Sequence, residues 1–281
     1  MERDGAGDWR DGCYWGVNMI EKLEIEEIGT VDVTFTERGT GQAVLLLHGG
    51  AGPMSVVPWA ELLARTRPAR VITPTHPGFM ATPRPDRLQD VRGLARVYAA
   101  LVRKLGLDSV TVIGNSVGGW IAAELALLAP ELVHTLVLIN AVGIAVPEHP
   151  VVDVFALPFE ELSRLSYHEP QRFRIDPSKL APEQRAMIAS NLAALKRYGG
   201  DMMDAQLQDR LRAIATPTLV VWGEADRVAN IEYGRAYAQA IPTARFALIS
   251  RSGHVPQVET PERLAEIVWH FVADTPGSPA R

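Results

Sequence analysis

Five consecutive residues, Gly114-Asn115-Ser116-Val117-Gly118, place a serine between two flanking glycines in the form G-x-S-x-G. A serine hydroxyl can attack a carbonyl carbon, but near neutrality it is a poor nucleophile. It needs a base to take its proton and a carboxylate to orient that base. Downstream, Asp226 closes the run Trp222-Gly223-Glu224-Ala225-Asp226, and His254 closes Ser252-Gly253-His254. Serine, acid and histidine therefore follow one another along the chain. Together they could perform acyl transfer through a covalent serine intermediate.

The motif gains its meaning from what surrounds it. Val110-Thr111-Val112-Ile113 is a β-branched run that reads as a buried strand. Ile121, Ala122, Leu125 and Leu128 then recur at helical spacing and stop at Pro130. Strand, sharp turn and helix hold a hydroxyl out above a sheet, and the turn requires neighbours without bulk. The same turn aims the Val117 N–H and a helix N-terminus at the point where negative charge develops. Glu224 competes with Asp226 as the acid, but it lies where the strand-end turn begins. Of the seven histidines, only His254 follows the last strand-like run at the place where a base is needed; His134 and His270 read as structural, His149 and His168 as surface residues, His76 as a turn residue, and His48 as a residue that shapes the loop before Gly49-Gly50.

Eight strand-like runs organise the chain: 22–28, 31–37, 43–47, 70–73, 110–113, 135–139, 217–221 and 246–249. Helical patterns fall at 57–66, 88–105, 231–240 and 262–272. Strands alternating with helices predict an α/β fold with a mostly parallel sheet covered on both faces. Residues 143–213 break that alternation with scattered prolines and helical patterns such as 183–198. The expected organisation is a core of residues 19–142 and 214–274 and a helical lid at 143–213. Residues 1–18 are expected to be a disordered extension and 275–281 a flexible tail.

The 281 residues are 47% hydrophobic and 22% charged with a net charge of −5, and no basic run points to nucleic acid. Cys13 is the single cysteine, so no internal disulfide can form. No apolar stretch has the length of a membrane span, and the acidic N-terminus lacks the pattern of a signal peptide; a cytoplasmic location is the expectation. There is no Walker loop, no G-x-G-x-x-G, no H-E-x-x-H and no Cys-rich zinc site, so neither cofactor nor metal is expected. The expected partner is a small-molecule substrate.

Five motifs occur in order between residues 22 and 274: His48-Gly49-Gly50, His76-Pro77-Gly78-Phe79, Gly114 to Gly119, Trp222 to Asp226, and Gly253-His254. In these the chain resembles the α/β-hydrolase fold superfamily. The resemblance implies an eight-stranded sheet with a helical lid, Ser116 as nucleophile, His254 as base, Asp226 as acid, and an oxyanion hole from the N–H groups of Gly50 and Val117. It also makes a homodimer plausible. Dehalogenases and epoxide hydrolases of the superfamily carry Asp at the nucleophile position, which argues against both reactions here.

Asn115 before Ser116, the run HGGAGP at 48–53 and GHVPQVE at 253–259 resemble the branch that hydrolyses carbon–carbon bonds of ring meta-cleavage products, which are vinylogous 1,5-diketones. An Asn115 amide could donate to a substrate oxygen, and Trp120 could line the pocket. That branch holds the substrate carboxylate with a lid arginine, for which Arg164, Arg172, Arg174, Arg185 and Arg197 are candidates. Val255 departs from the branch, which has an aromatic residue after the base. Ester or lactone hydrolysis is therefore the first expectation and C–C hydrolysis the alternative. A lyase, a cofactor-free oxygenase or a ligand-binding protein on the same fold is the third.

Overall fold

The computed structural model describes residues 18–173 and 177–275. Arg174, Cys13 and nearly all of the expected extension and tail lie outside them.

Strand β1 (Met19–Ile25) and β2 (Gly29–Arg38) form an antiparallel hairpin in which Ile25 pairs with Gly29. The loop is residues 26–28, and Gly29 at φ 92° closes it. The sequence pattern placed the first strand three residues late and began the second two residues late, because it put Gly29 inside the turn. In β2, Val31, Val33 and Phe35 are buried in alternation, as befits a strand near the sheet edge. Next come β3 (Gln42–Leu47), α1 (Val57–Thr66), β4 (Ala69–Pro74), α2 (Val91–Lys104), β5 (Val110–Asn115), α3 (Val117–Leu128) and β6 (Val133–Ile139). Helix α1 has its expected bounds. Helix α2 begins later than expected because Asp90 caps it, its side chain accepting the Gly93 N–H at 2.7 Å.

After β6 the chain leaves the sheet through α4 (Phe159–Ser166), α5 (Pro170–Phe173), α6 (Pro182–Gly199) and α7 (Leu207–Arg210). It returns as β7 (Thr218–Gly223), α8 (Ile231–Ala240), β8 (Ala244–Ile249), α9 (Pro256–Glu259) and α10 (Pro261–Asp274).

The eight strands lie in the order β1-β2-β4-β3-β5-β6-β7-β8, with β1 and β2 antiparallel to their neighbours and every pairing from β4 onward parallel. Strands β5 and β7 are buried along their whole length, which explains their unbroken apolar character. Helices α1 and α10 cover one face through Trp59, Leu63, Val268 and Phe271. Helices α2, α3 and α8 cover the other through Leu94, Tyr98, Ile121 and Tyr233. From β3 the chain runs outward to β4, then crosses back to β5 on the other side. The carboxyl ends of β3 and β5 thus flank the point where strand order reverses, the place where α/β sheets bind ligands.

Helix α3 is apolar almost throughout, yet Glu124 is buried in it. Arg210 of α7 answers that charge with both terminal nitrogens at 2.6 Å. Arg210 also reaches Asp204 at 2.7 Å, and Arg92 of α2 reaches Asp204 at 2.8 Å. This network fastens the returning end of the insertion to the helix that follows Ser116. Removing one partner of a buried pair leaves a charge without compensation. Arg210→Met should lower the unfolding free energy by about 3 kcal/mol, and Glu124→Leu in the same chain should recover much of that loss. Urea unfolding of the single and double variants measures both.

Candidate active site

Ser116 stands between β5 and α3 at φ 56°, ψ −122°. A non-glycine residue in that region is strained by about 1–3 kcal/mol. The backbone around it holds the conformation: the Ser116 N–H donates to the Ile139 carbonyl at 2.9 Å, and the Ser116 carbonyl accepts from Gly119 at 2.9 Å and Trp120 at 3.2 Å. The glycines are required by contact. A Cβ on Gly114 would collide with the Gly118 carbonyl, and one on Gly118 with the carbonyls of Leu47 and His48.

The Ser116 hydroxyl lies 3.0 Å from His254 Nε2, and His254 Nδ1–H donates to Asp226 Oδ2 at 2.8 Å. Asp226 accepts three further hydrogen bonds: from Asn140 Nδ2 at 2.6 Å and from the Val228 and Ala229 N–H groups at 2.8 and 3.1 Å. Four donors converge on two oxygens, an arrangement that fits a carboxylate. Nδ1 of His254 therefore carries the proton, and the Nε2 lone pair faces the serine. Ser116 and His254 are 8% and 7% exposed, so the pair is sheltered but within reach. Glu224, the competing acid, is exposed, whereas Asp226 is buried.

The loop after β3 lies beside Ser116. A Cβ built on Gly49 would sit 3.1 Å from the Ser116 Cβ and 2.9 Å from Asn115 Oδ1, so only glycine fits. The Gly50 N–H follows in that loop. Val117 is the first residue of α3, where N–H groups have no partner within the helix. The two N–H groups belong to different elements.

Two other histidines hold the loop. His48 Nδ1–H donates to the Gly49 carbonyl at 2.8 Å, and its Nε2 accepts the His76 backbone N–H at 3.1 Å. His76 Nε2–H donates to the His48 carbonyl at 2.8 Å, and Tyr98 donates its hydroxyl to His76 Nδ1. Each ring is a neutral tautomer with both nitrogens used. Burial pushes His48 well below the usual histidine range and His76 down to about 4.

Asn115 does not have the role the motif suggested. Its Nδ2 donates to the carbonyls of Ile139 at 3.2 Å and His254 at 3.1 Å, and its Oδ1 accepts from Gln257 Nε2 at 3.1 Å. Both amide protons are committed to main chain, so Asn115 fixes the base loop to the nucleophile strand and has none left for substrate. Trp120 is 5% exposed, and its ring lies against Gly143 at the start of the insertion, in the core cluster. Its side chain packs α3 against the insertion. Of the lid arginines, Arg164 pairs with Glu160, Arg172 lies over Phe173, and Arg185 donates to the Leu180 carbonyl. All three, and Arg197, are exposed.

Several residues escaped the sequence reading. Asn140 sits at φ 45° after β6 and gives Asp226 its shortest hydrogen bond. Leu195 of α6 lies over Gly50, where an added Cβ would come within 2.6 Å of its Cδ2. Asn191, Ser190 and Tyr198 bond α6 to the backbone of Met80, Gly78 and Pro77. Nothing in their local pattern marked them, since each acts on chain distant in sequence. No group of His, Cys, Asp and Glu among the described residues could hold a metal ion, and none of their helices is long and apolar enough to cross a membrane.

Among known proteins, the alpha/beta hydrolase family matches residues 44–267. The chain is 28% identical over 263 residues to a 2-hydroxymuconate semialdehyde hydrolase of Pseudomonas putida, covering 85% of this chain and 89% of that one. It is 29% identical over 269 residues to a 2-hydroxy-6-oxo-2,4-heptadienoate hydrolase of Pseudomonas putida strain F1, covering 87% and 94%. A thermophilic esterase from Thermogutta terrifontis superposes with a TM-score of 0.70 at 25% identity, covering 90% of this chain and 97% of that one.

The buried histidine pair carries a pH signature. Well above pH 6.5 both rings are neutral whether the chain is folded or not, and they add no slope. Below it the unfolded chain binds protons that folded His48 and His76 refuse, so stability is lost as pH falls toward 4. Urea unfolding between pH 7 and 5 should show an uptake of up to about two protons from this pair, and the slope should fall by about one proton in His76→Gln. An unchanged slope in that variant would contradict the assignment.

Proposed function

Because the chain belongs to the alpha/beta hydrolase family, we propose that this hydrolase cleaves a carbon–carbon bond in a vinylogous 1,5-diketone of the ring meta-cleavage type. The observation that carries this reading is the pair of relatives above. Each is matched over more than four fifths of its length, and each is named for such a substrate. The ester or lactone reading, first on motif grounds, has the weaker support.

The geometry performs the reaction as follows. Substrate binds beneath the insertion with its acyl carbonyl oxygen toward the Gly50 and Val117 N–H groups. Protonation of the dienol at the carbon next to the acyl carbonyl gives the keto tautomer. His254 takes the Ser116 proton as Oγ bonds to the acyl carbon, and the N–H pair holds the oxyanion. The C–C bond then breaks. Its electron pair enters the conjugated ketone, and His254 returns its proton to the departing fragment. Water, deprotonated by His254, cleaves the acyl-serine, so the net reaction adds OH to the acyl carbon and H to its former neighbour. Asp226, with four donors, keeps the imidazole in the required tautomer and stabilises its cation.

Ester hydrolysis stays as a second reading on one observation: the four described candidate arginines, Arg164, Arg172, Arg185 and Arg197, are exposed and three are engaged away from the triad, whereas an ester without a carboxylate needs no arginine fork. The test pairs a chromophoric ring meta-cleavage product with a short p-nitrophenyl ester on wild type and Ser116→Ala. The dienone should be the better substrate by kcat/KM, and Ser116→Ala should lose at least about a thousandfold. A preference for the ester would reverse the two readings. In the same assay Asp226→Asn should cost about 10³–10⁴-fold, while Glu224→Gln should stay within about twofold; the opposite order would move the acid to Glu224.

A further inference from the structure

The base needs more than its bond to Asp226. One side of the His254 backbone is fixed to the core, where Asn115 Nδ2 donates to its carbonyl. The other side is fixed to the insertion: the His254 N–H donates to the Ser166 carbonyl at 2.7 Å. At Gly253 the two backbones touch, since an added Cβ would lie 3.0 Å from Tyr167 Cα. The Gly253 N–H donates to Glu259 Oε2 at 2.6 Å. The other oxygen of Glu259 accepts from the His168 and Glu169 N–H groups at 2.8 and 3.2 Å.

The acid loop is joined to the same stretch. Arg227, next to Asp226, donates its backbone N–H to the Leu165 carbonyl at 3.2 Å. Its guanidinium donates to the carbonyls of Arg164 at 2.6 Å and Tyr167 at 3.0 Å. These carbonyls belong to the last turn of α4 and its exit, which lack partners within the helix and favour a cation. The N–H groups of His168 and Glu169, just beyond, meet an anion. Arg251 adds a contact to the Glu169 side chain at 3.2 Å.

We infer that residues 164–169 are a strap that holds the acid and base loops in register, with Arg227 and Glu259 as positioning residues for the Asp226–His254 pair. This rests on the triad reading above. It divides the insertion in two: α6 closes over Gly50, whereas the strap belongs to the catalytic scaffold. Arg227 and Glu259 spend their charges on main-chain groups of one segment. Losing either lets the loops move apart by fractions of an ångström, which slows proton transfer and leaves substrate binding unchanged.

The test compares Glu259→Gln, Arg227→Ala and Arg227→Lys, with Glu266→Gln in α10, whose partner is the exposed Arg263, as a control outside the strap. Steady-state kinetics on whichever chromogenic substrate is turned over should show kcat reduced about 10- to 100-fold in Glu259→Gln and Arg227→Ala, with KM within about threefold. Arg227→Lys should recover most of the loss, and the control should match wild type. The far-downfield proton NMR signal of His254 Nδ1–H should exchange with solvent faster in the two impaired variants. That signal needs no substrate, so it reads the strap even if the proposed reaction is wrong. Should Glu259→Gln fail to fold, the Arg227 pair decides alone. Wild-type kcat and wild-type exchange in folded variants, or a rise in KM alone, would overturn the inference.

Discussion

The site depends on one constraint: the chain turns from β5 into α3 through a single residue, Ser116, at positive φ. So sharp a turn presses backbones together. Gly114 lies against the Gly118 carbonyl, and Gly118 lies against the end of β3. The contact that makes glycine necessary at 118 is the contact that brings the Gly49-Gly50 loop beside Ser116. Strain of about 1–3 kcal/mol at one residue is thereby converted into the placement of two others. The cost is met by the hydrogen bonds of the Ser116 N–H and carbonyl, and by the wholly buried strand that leads into the turn.

Three histidines near this turn differ only in their partners. His48 and His76 face a carbonyl, an N–H, a hydroxyl and each other, and burial keeps both neutral. They are fittings of the loop after β3. His254 faces a carboxylate on one side and a hydroxyl on the other, so it can gain a proton with its countercharge already in place. The distinction between structural and reactive histidine is therefore one of hydrogen-bond partners, as all three are buried. The surroundings of Asp226 follow the same logic. Asn140 and two backbone N–H groups leave one direction for the imidazole, and Asn115 holds the loop that presents it.

Much of this was legible in the sequence because its causes are local. A β-branched run, two glycines and an apolar helix identify the turn at Ser116 without reference to the rest of the chain. The alternation of strands and helices predicted the sheet, and the place of Asp226 and His254 after β7 and β8 followed from it. What could not be read was set by distance. Asn115 looked free for substrate because its partners, Ile139, His254 and Gln257, are 24 to 142 residues away. Asn140 resembles any strand-end residue until β7 brings Asp226 to it. Glu259 and Arg227 received no role, since the strap they hold is made of carbonyls and N–H groups that carry no sequence signal. The hairpin turn was placed late for a local reason: Gly29 closes the turn from the strand side.

The central claim is that Ser116 becomes acylated by cleavage of a carbon–carbon bond. The direct measurement is rapid acid quench of wild-type protein with excess ring meta-cleavage product, followed by peptide mass spectrometry. The account predicts that the peptide containing Ser116 gains the mass of the substrate's acyl fragment, with the serine as the modified residue. Product release without any covalent adduct, or an adduct on another residue, would contradict it.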